Sequence, residues 1–190
     1  GAIVGDNSVL ASAGRDINLT STTTSAQSVN GENSFTRTTI DSVSGIYVQG
    51  TDGKLALQSG RDITLTGAQV IASGDNGKAQ LVAGRDVNLN TVTTSRSDNL
   101  VWDKDNSLKQ RSVDNNGSVV IGTGGVTLAA GNDINARGAT MTSDGALALG
   151  AKHDVNIEGV LNESQLDERH KVVGGNGWLS KTTRTTRDTV

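Results

Sequence analysis

Asp16, Asp62, Asp86, Asp133 and Asp154 are the residues of this 190-residue chain best spaced to do chemistry together. Each sits third in a returning motif: Gly-Arg-Asp-Ile-Asn-Leu at 14–19, Gly-Arg-Asp-Ile-Thr-Leu at 60–65 and Gly-Arg-Asp-Val-Asn-Leu at 84–89. Looser copies are Gly-Asn-Asp-Ile-Asn at 131–135 and Lys-His-Asp-Val-Asn-Ile at 152–157. Carboxylates gathered by a repeating chain could hold calcium. A structural role fits better, because Asp at a turn accepts backbone N–H bonds and tolerates turn geometry. Arg15, Arg61 and Arg85 stand beside the first three carboxylates and can neutralise them. Calcium β-rolls also need Gly-Gly-x-Gly-x-Asp nonapeptides, and this chain has none. The reading taken is no metal and no cofactor.

Other candidates for chemistry are sparse. His153 replaces the Arg of the motif, and His170 lies between Arg169 and Lys171. No spacing sets a carboxylate beside either, so nothing points to a Ser/His/Asp triad. Gly122-Thr123-Gly124-Gly125 lacks the Lys-Ser/Thr of a phosphate loop and reads as a turn. No catalytic residue is assigned. Phe35, Trp102 and Trp178 are three of the four aromatics. They form a candidate interaction surface, since exposed Trp is enriched at interfaces. The alternative is packing across neighbouring segments.

The motif must be positioned by short strands. The five aspartates are separated by 46, 24, 47 and 21 residues, so long and short intervals alternate. Blocks 44–62 and 68–86 share one length and layout, and 118–133 and 139–154 form a second matched pair. Within a block, apolar residues alternate: Val70 and Ala72, then Ala79, Leu81 and Ala83, then Val87 and Leu89. Turn signals at 74–77 and 84–86 separate them. Three strands per unit of this size is one coil of a parallel β-helix. Stacking would align Ile17, Ile63, Val87, Ile134 and Val155 in one internal column. Leu57, Leu81, Leu128 and Leu149, with Ala11, would form another, and Asn88 would point outward.

Residues 20–43, 90–117 and 158–190 are surplus to the coils. Each has Ser/Thr-rich flanks around a turn signal, at 30–33, 103–106 and 174–177, and reads as a β-hairpin leaving alternate coils. Residues 1–190 are then a single solenoid segment of about six coils, counting partial ends. Asp16 and Asp62 should lie one inter-strand spacing apart, because one coil, not two, separates them.

Composition limits the function classes. The chain has 24 Gly, no Pro and no Cys, so a disulfide framework and a thiolate metal site are excluded. A net charge of −3 with interspersed signs gives no reason to expect nucleic-acid binding. No apolar run approaches the ~18–20 residues of a membrane span, and no signal-peptide pattern is present.

The motifs at 59–65, 83–89 and 129–135 resemble the haemagglutinin repeats of filamentous haemagglutinin-like exoproteins of two-partner secretion systems. Gly-Trp-Leu-Ser-Lys-Thr-Thr-Arg-Thr-Thr-Arg-Asp at 177–188 resembles a segment common in those arrays. Lys152-His153 departs from the repeat. The resemblance implies a right-handed parallel β-helix, secreted to the surface of a Gram-negative bacterium through a cognate outer-membrane transporter. It also implies contact with target-cell or host surface components, as in adhesins and contact-dependent growth inhibition effectors. The expectation is a structural and interaction segment of a fibre, not an enzyme. The runner-up is a β-helical polysaccharide lyase or hydrolase, which would need a groove of clustered carboxylates with Arg or Lys outside the turns.

Overall fold

A computed structural model describes residues 1–172 and the backbone of 182–189. The described residues form strands and turns, with no helix. Two compact units result. One comprises Gly1–Thr22, Ile40–Val92 and Asn115–Val160, and the other Thr23–Thr39, Thr93–Asp114 and Leu161–Val190.

The first unit is a parallel β-helix of five coils. Coil 1 holds β1 (Ala2–Gly5), β2 (Ser8–Ala13) and β3 (Ile17–Thr20). The chain leaves as β4 (Thr22–Asn30) and β5 (Asn33–Ser42). Coil 2 holds β6 (Gly45–Val48), β7 (Lys54–Ser59) and β8 (Ile63–Thr66). Coil 3 holds β9 (Gln69–Ala72), β10 (Lys78–Ala83) and β11 (Val87–Asn90). A second excursion is β12 (Val92–Asp103) and β13 (Asn106–Asn116). Coil 4 holds β14 (Val119–Gly122), β15 (Gly125–Ala130) and β16 (Ile134–Arg137). Coil 5 holds β17 (Thr140–Thr142), β18 (Ala146–Ala151) and β19 (Val155–Glu158). The third excursion is β20 (Glu163–Val172) and β21 (Thr182–Thr189). Five coils stack where the sequence led us to expect about six. The expected count allowed for partial ends; the residues after Glu158 enter an antiparallel strand pair, where the sequence placed a hairpin.

Each wall of the helix is a five-stranded parallel sheet with one strand from every coil. Register is set by the period-2 pattern, since a one-residue slip would turn every apolar side chain outward. The two predicted columns form. Ile17 partners Ile63, then Val87, Ile134 and Val155 follow in register. Ala11 partners Leu57, followed by Leu81, Leu128 and Leu149. Leu57, Leu81 and Leu128 are almost wholly buried, each contributing roughly 1.5–3 kcal/mol of burial.

Alternation of hairpin and plain coil has a local cause. After β8 and β16 the chain turns straight into the next coil through Gly67 and Gly138, whose φ values of 57° and 58° suit glycine. A Cβ at Gly67 would strike Val92, and one at Gly138 would strike Val160. At the exits from coils 1 and 3, serines clasp the hairpin base. Ser44 Oγ donates to the Thr20 carbonyl at 2.6 Å, and Ser118 Oγ to the Asn90 carbonyl at 2.7 Å. Ser21 is buried there too, donating to Gly67 O at 2.6 Å and accepting from Ser44 N–H at 3.0 Å.

The second unit is a six-stranded sheet in the order β4-β5-β12-β13-β20-β21. Its inter-hairpin joints, β5 with β12 and β13 with β20, are antiparallel.

Candidate functional site

The repeated aspartates stack on successive coils, as the interval argument required. Asp16 Oδ1 accepts the N–H of Asp62 at 3.3 Å, so one coil separates them. The same bond recurs from Asp86 to Asp62 at 3.2 Å, from Asp133 to Asp86 at 3.2 Å and from Asp154 to Asp133 at 3.0 Å. In coils 2 and 3 an arginine closes the rung. Arg61 Nε donates to Asp16 Oδ1 at 3.1 Å, and Arg85 Nε to Asp62 Oδ1 at 2.8 Å. In both pairs a second guanidinium nitrogen reaches the other carboxylate oxygen, the two-pronged geometry peculiar to Arg. Where Asn132 replaces Arg, its amide donates to Asp86 Oδ1 at 3.0 Å.

This geometry fixes the electrostatics. The Arg61 hydrogen bond holds the Asp16 carboxyl below its usual range, and Arg85 does the same for Asp62. Arg61 and Arg85 hold their protons more firmly in return. Lone pairs engaged by N–H donors are not offered to a cation. Among the described residues no cluster of three or more His, Cys, Asp or Glu is placed to hold a metal ion. The glycine of the motif is a matter of space. A Cβ at Gly60, Gly84 or Gly131 would collide with the carbonyl of the corresponding glycine one coil back. Coil 5 carries Lys152 there, yet His153 N–H still reaches Asn132 O at 3.0 Å. The backbone ladder thus survives the change of side chain.

The aromatics separate by exposure. Trp102, near the end of β12, is 65% exposed. Phe35 on β5 is 39% exposed, with the Arg37 guanidinium 5.6 Å from its ring centre, within reach of a cation–π contact. Trp178 lies outside the described residues. His153 and His170 are both exposed.

A cluster that the sequence reading missed lies beside Phe35. Asp98, opposite Phe35 in register, is only 7% exposed. Arg96 pairs with it from two residues along β12, and Arg37 approaches from β5 at 3.7 Å. A cleft of about 260 Å³ opens there, between Ser28, Asn33, Phe35, Arg37, Arg96 and Leu100. A second cleft of about 350 Å³ is lined by Lys109, Arg111, Gln165 and Asp167. Asp167 faces Lys109 across the strands, and Asp98 is engaged by two arginines. These carboxylates are matched by cations, not paired with one another for acid–base work.

Asparagines latch the joints between hairpins. Asn33, first in β5, accepts the N–H of Val101 at 2.6 Å, and Asn106, first in β13, accepts that of Lys171 at 2.9 Å. Asn99 adds a bond to Glu32 O at 2.6 Å, and Lys171 an ion pair to Asp105. An asparagine directly after the first two turns was the available signal. Its partner was not, because a second hairpin supplies it.

Comparison with known proteins agrees with this architecture. The hemagglutinin repeat family matches residues 36–100 and 103–187. The first match runs from β5 through coils 2 and 3 into β12, so it spans two coils and a flanking strand on each side. Deoxyribonuclease CdiA of Dickeya dadantii (strain 3937) is 40% identical over 144 residues, covering 74% of this chain and 4% of that protein. The chain therefore spans a small fraction of this relative's length. No solved structure matches the chain.

Proposed function

Because this chain belongs to the hemagglutinin repeat family, we propose that it is a stacking segment of a large secreted bacterial surface fibre. The fibre acts in cell–cell contact, adhesion or delivery of a toxin into a neighbouring cell. The observation that carries this reading is a stack unfinished at both ends. Ile3 partners Ile46 in the interior register yet is 54% exposed, and Ile157, partner of Ala136, is 66% exposed. Further coils would cover both, as neighbouring coils do in other repeat arrays. Work at a distance then rests on stiffness, with outward strands offering contact surface. Trp102 and Phe35 are the side chains we assign to that surface. Partners would be a cognate outer-membrane transporter during export and components of a target cell or host afterwards. The nuclease activity in the relative's name is said of that protein.

The test uses the parent protein in its native cells. Antibody and external protease should reach this segment on intact cells that carry the transporter, and should fail to reach it when the transporter gene is deleted. Equal accessibility in both strains, or a segment retained inside both, refutes the reading.

A further inference from the structure

The two clefts of the second unit share a wall. Asp98 lines both, so they join across β5, β12, β13 and β20, four strands that lie side by side. Charge is sorted between the faces of this sheet. Arg37 stands in register with Arg96, and Phe35 with Asp98. The residues between them, Thr36 with Ser97 and Thr38 with Ser95, fall on the opposite face by alternation and carry no charge. Further along the groove, Lys109 is in register with Asp167 and Arg111 with Gln165. In the joined clefts four cations, Arg37, Arg96, Lys109 and Arg111, meet only two carboxylates, Asp98 and Asp167. Positive charge is in excess there, in a chain whose net charge is −3.

The excess is held in place. The Asp98 side chain is only 8% exposed, whereas the two arginines that engage it are about half exposed. A guanidinium carries five N–H donors, so one inward carboxylate leaves donors of both arginines facing the groove. Such donors are matched by an anionic ligand. Three features narrow its chemistry. The cations come from adjacent strands, ~4.8 Å apart, and a chain of pyranose rings advances by about one such spacing per ring. Lys109 beside Asp167 sets a cation next to an acceptor, which suits acids separated by hydroxyls better than an unbroken run of phosphates. Phe35 leaves part of its ring open, and the negative face of an aromatic ring attracts the C–H bonds of a sugar. Ser28 and Asn30, exposed beside it, can bond to hydroxyls. We propose that the joined groove binds a polyuronate, a glycan with one carboxylate on each ring. This deepens the reading of the segment as an exposed contact surface and rests on that reading for its biological use.

Titration calorimetry of the whole 190-residue chain with an oligogalacturonate, as free acid and as methyl ester, tests this. The free acid should bind with a micromolar dissociation constant, and the uncharged ester at least ~10-fold more weakly. Lys109→Gln with Arg111→Gln removes two of the cations and should weaken binding of the acid by at least ~10-fold as well. Lys54→Gln with Lys78→Gln removes as much charge from the helix wall and should bind as the unaltered chain does. All four side chains are exposed, so the melting temperatures should not move. Phe35→Ala should weaken binding while leaving its salt dependence unchanged, the mark of a ring contact. Equal binding of acid and ester, equal losses in the two double variants, or no loss in Phe35→Ala each overturn the proposal. So does a polyglutamate or a DNA strand that binds as tightly as the uronate. The purified chain needs no export, so failure here leaves the cell-surface reading standing, and failure of that reading leaves this binding measurable.

Discussion

Leu81→Ala tests how closed the stack is at its centre. Leu81 is wholly buried in β10, in register with Leu57 below and Leu128 above, both themselves buried. Shortening it removes the transfer free energy of the lost carbons and leaves a hole that two flanking coils, tied by backbone bonds, cannot collapse to fill. Leu→Ala costs in such sites run from about 2.7 to 5 kcal/mol, and a rigid site falls toward the top, so about 4 kcal/mol is expected. Leu149 holds the same column position in coil 5, packed on Leu128 from one side and only partly buried. Water enters its vacated volume, so no cavity term survives, and half the transfer term remains, about 1 kcal/mol. Urea unfolding of both variants, followed by far-ultraviolet dichroism, gives the two costs. Equal costs, or a larger one at Leu149, would mean that coil 5 is as enclosed as coil 3, and the argument from exposed end coils would fail.

Ser118→Ala should cost about 1–3 kcal/mol in the same assay, because the Asn90 carbonyl and the Ala68 N–H both lose a buried partner. Gly84→Ala should cost roughly 2 kcal/mol or more, since its Cβ meets backbone, whereas Gly14→Ala, with open space around it, should stay within about 0.5 kcal/mol; similar losses would discard the spacing argument for the motif glycine. The Asp16 and Asp62 carboxyls are held below their ordinary value of 3.8, so the unfolded chain takes up protons before the folded one as pH falls. Their contribution is complete above about pH 5 and disappears as pH falls through the lowered folded values. The urea midpoint should therefore be flat from neutral pH down to about 5 and then fall. Arg85→Ala should lower the neutral plateau and make the fall shallower, with the two curves converging in acid; parallel curves would deny the Arg85–Asp62 bond a role in stability.

Much of the solenoid was legible because its determinants are local and repeated. Leu81 announces its inward face through Ala79 and Ala83 on either side, and the same spacing returns in each block. The alternating aspartate intervals located the hairpins for the same reason. The motif aspartates were assigned to turns correctly, but the direction of their bonds, each carboxylate served by the coil that follows, has no sequence mark. The Arg37–Asp98–Arg96 cluster was invisible because Arg37 belongs to a different hairpin, and only the β5–β12 register brings it across. Ser118 was hidden by abundance: among so many serines, composition does not distinguish one that clasps a hairpin base from one facing water. The count of about six allowed for partial ends, and the described residues hold five coils without them.

The aspartate ladder also gives the stack a chemical polarity. Each rung joins a carboxylate to donors of the next coil, so the leading face presents an acceptor, Asp154, and the trailing face a donor, Arg15. Among the described residues Arg15 forms no ion pair. Two such stacks brought together trailing face to leading face meet guanidinium with carboxylate. Brought together by like faces, they set anion against anion or cation against cation. A column built this way lengthens in one orientation only, as a row of magnets does, and the rule is written in two residues of a six-residue motif.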